Sequence, residues 1–93
     1  MTLPAEFHEL PSGRIEVRIG VHPVGTIFPR SAGTVRYSLT LPDASGPRLV
    51  DSVGKARRLI LMALADWFEA CGPQFGAIAS ELAAQSDAER VAA

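Results

Sequence analysis

The sequence predicts an α+β fold, in which a three-stranded antiparallel sheet packs on one long amphipathic helix and a short second helix follows. Residues 14–21 and 34–41 alternate strictly between apolar and polar side chains, which is typical of strands with one buried face. Residues 51–71 place apolar side chains at helical spacing. Because an antiparallel sheet with one wet face must bury the other, we expect the helix to cover that apolar face.

The chain has 93 residues, 47% of them hydrophobic, which predicts a single domain. A domain of this size has a modest core, so association with a second copy would add stability. We divide it into a loosely ordered arm (1–13), a β-β-β-α core (14–71), a second helix (73–85) and a frayed tail (86–93).

The three predicted strands are separated by segments rich in glycine and proline. The first two strands are expected to point these side chains into the core: Ile15, Val17, Ile19, Val21, Val35, Tyr37, Leu39 and Leu41. Residues 42–47 predict a turn, and residues 48–50 form a short third strand. Residues 22–33 are too many for a tight hairpin turn, so we interpret them as a long loop, either a plain connection or an interaction element.

The predicted central helix has clear start and stop signals. Asp51 or Ser52 can cap its first turn, and Gly72-Pro73 ends it. Its apolar stripe contains Val53, Ala56, Ile60, Ala63, Leu64, Trp67 and Cys71. Leu61, Ala65 and Phe68 widen this stripe beyond what a surface helix needs. Two explanations are open: the sheet and tail wrap around the helix, or these three residues contact a partner or a second copy.

Cysteine, histidine and acidic residues give no sign of catalysis. The single cysteine, Cys71, excludes an internal disulfide and is expected to be a buried thiol on the helix stripe. His8 and His22 stand alone, without a second ligand at metal-binding spacing. We therefore predict no enzyme activity, no cofactor and no metal site. With no leader-like segment and no long apolar run, we expect a cytoplasmic protein that does not enter a membrane.

The charge of the chain is unevenly distributed. Residues 1–58 contain eight basic and five acidic residues, a net of +3, whereas residues 59–93 contain one basic and five acidic residues, a net of −4. The overall net charge of −1 argues against wholesale nucleic-acid binding. The arginines that could nevertheless contact phosphates are Arg14, Arg18, Arg36 and Arg48. We expect no outward-facing aromatic side chain among them, and hence no platform for stacking bases.

One stretch of the chain combines a strand, a turn and the start of a helix in a recognisable order. The strand and turn are Tyr37-Ser38-Leu39-Thr40-Leu41-Pro42-Asp43 and Gly46, the helix starts at Asp51-Ser52, and Ala56, Ala63, Leu64, Trp67 and Glu69 recur along it. In these residues, the segment 37–69 resembles the N-terminal domain of HicB-like antitoxins. The resemblance implies a partial ribonuclease H-like or double-stranded-RNA-binding-like β-β-β-α layer. It also implies binding to a small toxin ribonuclease.

From these observations we expect a non-catalytic inhibitory module, similar to a HicB antitoxin, that masks the active or nucleic-acid-binding surface of a partner enzyme. The alternatives are a small phage-borne inhibitor of a host defence nuclease, of the anti-CRISPR type, and a weak nucleic-acid-binding domain. The candidate partner-binding residues are Leu61, Ala65, Phe68, Arg57 and Arg58. We further expect a homodimer, formed through the helix flank or through a sheet edge.

Overall fold

A computed structural model describes residues 4–29, 33–41 and 47–92 of the chain. Its strands are β1 (Glu6–Glu9), β2 (Ile15–Ile19), β3 (His22–Pro29), β4 (Val35–Leu39) and β5 (Arg48–Val50). Its helices are α1 (Val53–Cys71) and α2 (Gly76–Ala92), joined by a short 3-10 turn, Pro73–Phe75. The α+β class is confirmed. The predicted three strands are wrong, because the sheet has five, and residues 42–46 of the predicted turn lie outside the described residues.

The sheet is an antiparallel meander in which each strand pairs with the next along the chain. Ile15, Ile27 and Tyr37 are aligned across β2, β3 and β4, and they face the core together. Strands β2 and β3 are joined by Gly20 and Val21, with Gly20 at a φ of +63°, the sign that two-residue hairpin turns require at this position. Val21 was expected in the core but is 85% exposed, because the chain turns there.

Strand β1 comes from the segment predicted as a loosely ordered arm. Phe7 pairs with Val17 in the middle of β2, and Ala5 is fully buried beside the strand. The arm prediction is therefore wrong for this segment. A strand of four residues flanked by turn-forming Pro-Ser-Gly has too few apolar residues for its alternation to be recognised.

Strand β3 comes from the segment predicted as a long loop, and that prediction is also wrong. Its glycine and prolines occupy positions where a strand tolerates them. Pro23 lies beside the bulge at Val17/Arg18, and Pro29 is the last strand residue. Gly25 is buried opposite Leu39, where a Cβ atom would lie 3.0 Å from the Ser38 carbonyl oxygen.

Helix α1 begins and ends close to the predicted residues. The Ser52 hydroxyl accepts a hydrogen bond from the Lys55 amide at 3.1 Å, so Ser52 is the N-cap. The helix packs on β3, β4 and β5. Its buried residues are Ala56, Ile60, Leu61, Leu64 and Ala65. Cys71, predicted to be buried, is exposed because it lies in the last turn, beyond the part of the helix that contributes these residues.

Helix α2 is longer than predicted and packs mainly on α1. Leu82 is fully buried between them and belongs to the main hydrophobic core. The frayed tail predicted for residues 86–93 is wrong for 86–92, which continue the helix. Gln85 and Ser86 are buried because their polar atoms find partners: Gln85 binds both backbone groups of Ala5, and the Ser86 hydroxyl donates to the Arg58 carbonyl at 3.1 Å.

Candidate binding surfaces

The partner-binding face predicted on α1 is largely covered by α2. Leu61 is fully buried and Ala65 is 8% exposed, so neither offers a free apolar surface. This corrects the prediction that Leu61 and Ala65 contact a partner. Its physical reason is the packing of α2 along α1, which brings Ala79, Leu82 and Ala83 over the wide apolar side of α1.

Phe68 and Arg57, also predicted to contact a partner, make contacts within the fold. The Phe68 ring lies 5.8 Å from the Phe75 ring, centroid to centroid. The Arg57 guanidinium donates to Glu89 on α2 at 2.6 Å and lies 4.2 Å above the Phe7 ring of β1. Arg57 therefore joins α1 to both ends of the described chain. Of the five residues predicted to bind a partner, Arg58 and Ala65 line an open surface.

That open surface is a shallow groove between the outer sides of α1 and α2. Two adjoining depressions form it, each with a volume of about 280 Å³, and they share Ala65, Asp66 and Ala83. Small side chains line much of the groove, and Met62, 48% exposed, lies at one end. Both depressions are open to solvent, so the groove suits side chains of a macromolecular partner better than a small molecule that a pocket would enclose.

The rim of the groove is mainly acidic. Asp66 and Glu69 are exposed on α1, and neither carboxylate pairs with a cation among the side chains that the structure describes. Asp87 on α2 and Arg58 on α1 complete the rim at the other end. The groove is therefore a predominantly negative surface with an exposed, adaptable methionine beside it.

The second open surface is the face of the sheet opposite the helices. One cross-strand row on this face contains His8, Glu16, Thr26 and Ser38. The carboxylates around it have partners on their own strands, because Glu16 pairs with Arg18 and Glu6 lies 3.1 Å from the His8 ring nitrogen. Arg18, predicted to contact phosphates, is thus engaged by a carboxylate of its own strand.

The next row on the same face is positively charged and contains Phe28. Phe28 pairs with Arg36 across β3 and β4, and Arg36 pairs with the exposed Leu49 on β5. The guanidinium carbon of Arg36 lies 4.7 Å from the centre of the Phe28 ring, and that of Arg14 lies 6.0 Å from it. Neither arginine pairs with a carboxylate among residues 4–29, 33–41 and 47–92. We call Arg14, Phe28 and Arg36 the arginine–phenylalanine row.

This row corrects the expectation that no aromatic side chain faces outward among the arginines. The sequence predicts a loop for residues 22–33, and the side-chain direction of a loop residue such as Phe28 cannot be inferred from alternation. Once residues 22–29 are known to form a strand, the burial of Ile27 places Phe28 on the opposite face by alternation alone. Arg48 is also displaced from its predicted place, because it pairs with the core-facing Tyr37 and so lies on the helix side of the sheet.

In the part of the chain that the structure describes, no group of three or more His, Cys, Asp or Glu residues could hold a metal ion, and no helix is long and apolar enough to cross a membrane. Comparison with protein-family models, curated proteins and solved structures finds no match to the chain. The charges and side chains of the groove and of the open sheet face are therefore the evidence for function.

Proposed function

We propose that the chain is a non-catalytic protein-binding module that inhibits a partner enzyme by covering its active or nucleic-acid-binding surface. The HicB-like features of residues 37–69 support an inhibitory role of this kind. The observation that carries the proposal is the groove between α1 and α2, an open surface that combines small side chains with an acidic rim.

The small residues of the groove allow another backbone to approach closely. A partner helix could lay an apolar face along the exposed Ala83, with Met62 adapting its flexible side chain to the contact. The carboxylates of Asp66 and Glu69 would then attract cations flanking that helix. Surfaces that bind nucleic acid are rich in Lys and Arg because they neutralise phosphates, so a nuclease is a partner whose charge fits this groove.

Both proteins considered from the sequence, a small toxin ribonuclease and a host defence nuclease, share this basic chemistry. The groove therefore supports an inhibitor that occupies the nucleic-acid-binding site of a nuclease. It fits the toxin ribonuclease and the host defence nuclease equally well.

The experiment is a capture of partners by the tagged chain from nuclease-treated extract, followed by an activity assay. The variant Ala83→Arg places a long cation in the groove at an exposed position that both depressions share. We expect the wild-type chain to capture a nuclease and to inhibit it, and we expect Ala83→Arg to lose both properties. Arg36→Glu serves as a matched control, because it alters charge on the opposite side of the sheet and should retain capture.

Three results would contradict the proposal. One is a captured protein that Ala83→Arg retains as well as the wild type does. Another is a partner whose catalytic activity is unchanged by a saturating amount of the chain. The third is the absence of any captured protein after nuclease treatment. Circular dichroism of each variant verifies that the fold is intact before the comparison is made.

A further inference from the structure

We infer that the open face of the sheet binds single-stranded nucleic acid through the arginine–phenylalanine row, Arg14, Phe28 and Arg36. This inference concerns the face opposite the acidic groove and does not depend on the proposed inhibitory function.

The charge distribution of the molecule favours an anionic ligand on this face. Of the carboxylates on the same face, Glu16 is engaged by Arg18, and Glu6 lies on the edge strand β1 beside His8, two strands away from Phe28. Arg14 and Arg36 have no such partner among the described residues, so their guanidinium groups remain available for phosphates. Asp66 and Glu69 lie on the helix side and repel a polyanion, which confines it to the sheet.

The position of Phe28 favours a ligand that also has planar rings. The Arg36 guanidinium carbon lies 4.7 Å from the centre of the Phe28 ring, so a planar cation and an aromatic ring lie together on the sheet surface. A base can stack on an arginine plane or on an aromatic ring, and its neighbouring phosphates can then reach Arg14 and Arg36. An acidic peptide would satisfy the charges but would leave the stacking surface unused.

An aromatic ring on the sheet surface favours a single strand over a duplex as the ligand. In a duplex the bases stack on one another, whereas a single strand can turn a base toward a sheet surface. With two available arginines and one aromatic ring, the row matches a site of about two nucleotides, smaller than the roughly 4–16 nucleotides of sites on larger β-folds. We therefore expect weak binding with little sequence preference.

The test is fluorescence anisotropy with labelled dodecamers of uridine and of thymidine at about 50 mM salt. We expect binding of at least one of the two, weakened as salt rises, with log K falling against log salt at a slope of about −1.4 for two phosphates on a single strand. Comparison of the two probes distinguishes an RNA ligand from a DNA ligand, and an abasic dodecamer separates phosphate contact from stacking.

Substitutions test whether the oligonucleotide binds at the arginine–phenylalanine row. Arg36→Glu should abolish measurable binding, whereas Lys55→Glu, the same change of charge at an exposed position on α1, should leave it within about twofold, because Lys55 belongs to the helix layer and is not part of the row. Arg36→Ala should reduce the salt slope by about 0.7, the contribution of one phosphate. Phe28→Leu keeps an apolar side chain and should weaken binding about tenfold, since one stacked base contributes roughly 1–3 kcal/mol.

The abasic dodecamer should bind the wild-type chain as weakly as uridine or thymidine binds Phe28→Leu. The inference is overturned if neither dodecamer binds, if duplex DNA binds more tightly than both, or if Lys55→Glu weakens binding as much as Arg36→Glu. It is also overturned if polyglutamate displaces the oligonucleotide at equal charge concentration, because the surface would then select an acidic peptide. Ala83→Arg should bind the dodecamers as the wild type does, which keeps this test separate from the groove.

Discussion

Gln85 shows how a single polar side chain positions a distant part of the chain. Its amide oxygen accepts from the Ala5 amide at 3.2 Å, and its amide nitrogen donates to the Ala5 carbonyl at 2.8 Å. Ala5 is 1% exposed and Gln85 6% exposed, so water is excluded from both groups. The pair gives the residue preceding β1 two hydrogen bonds that the sheet itself does not supply.

We predict that Gln85→Leu lowers the free energy of unfolding by about 1–3 kcal/mol, because it leaves the Ala5 N–H and C=O buried without partners. Urea denaturation followed by circular dichroism measures the change. Gln74→Leu, at an exposed position of the 3-10 turn, is the matched control and should change stability by less than about 0.5 kcal/mol. Equal stability of Gln85→Leu and wild type would show that these hydrogen bonds contribute nothing net.

Gly25 gives a second prediction at the residue scale. A Cβ atom there would lie 3.0 Å from the Ser38 carbonyl oxygen and 3.1 Å from a Leu39 methyl carbon. Because Ser38 pairs within the sheet, its carbonyl is held in place. We expect Gly25→Ala to destabilise the protein by about 1–3 kcal/mol through overpacking.

The contrasting variant is Gly76→Ala at the start of α2, where a Cβ atom meets nothing within 4 Å and the backbone is already helical. It should stabilise the protein by about 0.4–1 kcal/mol, because alanine restricts the unfolded chain more than glycine does. Thermal melts of the two variants should therefore shift in opposite directions. A higher melting temperature for Gly25→Ala would contradict the close packing at Gly25, and a lower one for Gly76→Ala would contradict the open space at Gly76.

At the scale of elements, α2 converts the helix of a simple sheet-and-helix layer into a two-helix layer. Leu82 joins the core that α1 and the sheet form, and Arg57 of α1 binds Glu89 near the end of α2. This ion pair is partly buried, so it adds to the apolar contact without replacing it. The predicted partner face of α1 is thus satisfied within the chain.

If α2 is part of the core, Leu82→Ala should destabilise the whole domain by about 2–5 kcal/mol, because a fully buried leucine is replaced by a cavity. A single cooperative urea transition at lower concentration is the expected result. The same substitution at Leu49, which is 62% exposed, should cost less than about 0.5 kcal/mol. A Leu82→Ala protein with unchanged stability would mean that α2 is not docked on α1 in solution.

At the scale of the whole molecule, the two open surfaces differ in charge. Arg14 and Arg36, which have no carboxylate partner among the described residues, lie on the open face of the sheet, and Asp66 and Glu69, which have no cation partner there, line the groove. Each of the two proposed ligands, a basic protein and a nucleic acid, fits one face and is repelled by the other.

The expected homodimer requires an open surface on which a second copy of the molecule can pack. The helix flank suggested for it is covered by α2, which leaves a sheet edge as the remaining route. Strand β5 (Arg48–Val50) is the last in the sheet order and carries Leu49, 62% exposed, an apolar side chain that contact with another chain could cover. We predict a concentration-dependent mass of twice 9.9 kDa in light scattering, and a monomer for Leu49→Lys.

Val21→Lys is the control for this prediction, because Val21 is even more exposed but lies in the turn between β2 and β3. It should retain the dimer. A wild-type mass of one chain at all concentrations would remove the homodimer from consideration, and a dimer that survives Leu49→Lys would place its contact away from β5.

The sequence by itself determined those elements whose local pattern is strong. Ile15, Val17 and Ile19 alternate with charged residues, so β2 could be assigned from periodicity, as could β4. Ser52 and Gly72 set the limits of α1 because capping is a local interaction between a side chain and its neighbouring backbone. For the candidate surfaces, the sequence identified Arg14 and Arg36 as outward-facing residues of two strands.

Only the tertiary structure decided which segments with weak local patterns join the fold. Strand β1 forms because β2 offers it an edge, and β3 tolerates Gly25, Pro23 and Pro29 because each lies where a side chain or an N–H is not needed. The middle of α2 is held by Gln85 and Ser86, polar residues whose burial depends on partners far away in sequence. The placement of Phe28 between Arg14 and Arg36 has the same origin, because a cross-strand neighbour is set by register, and register is a property of the folded sheet.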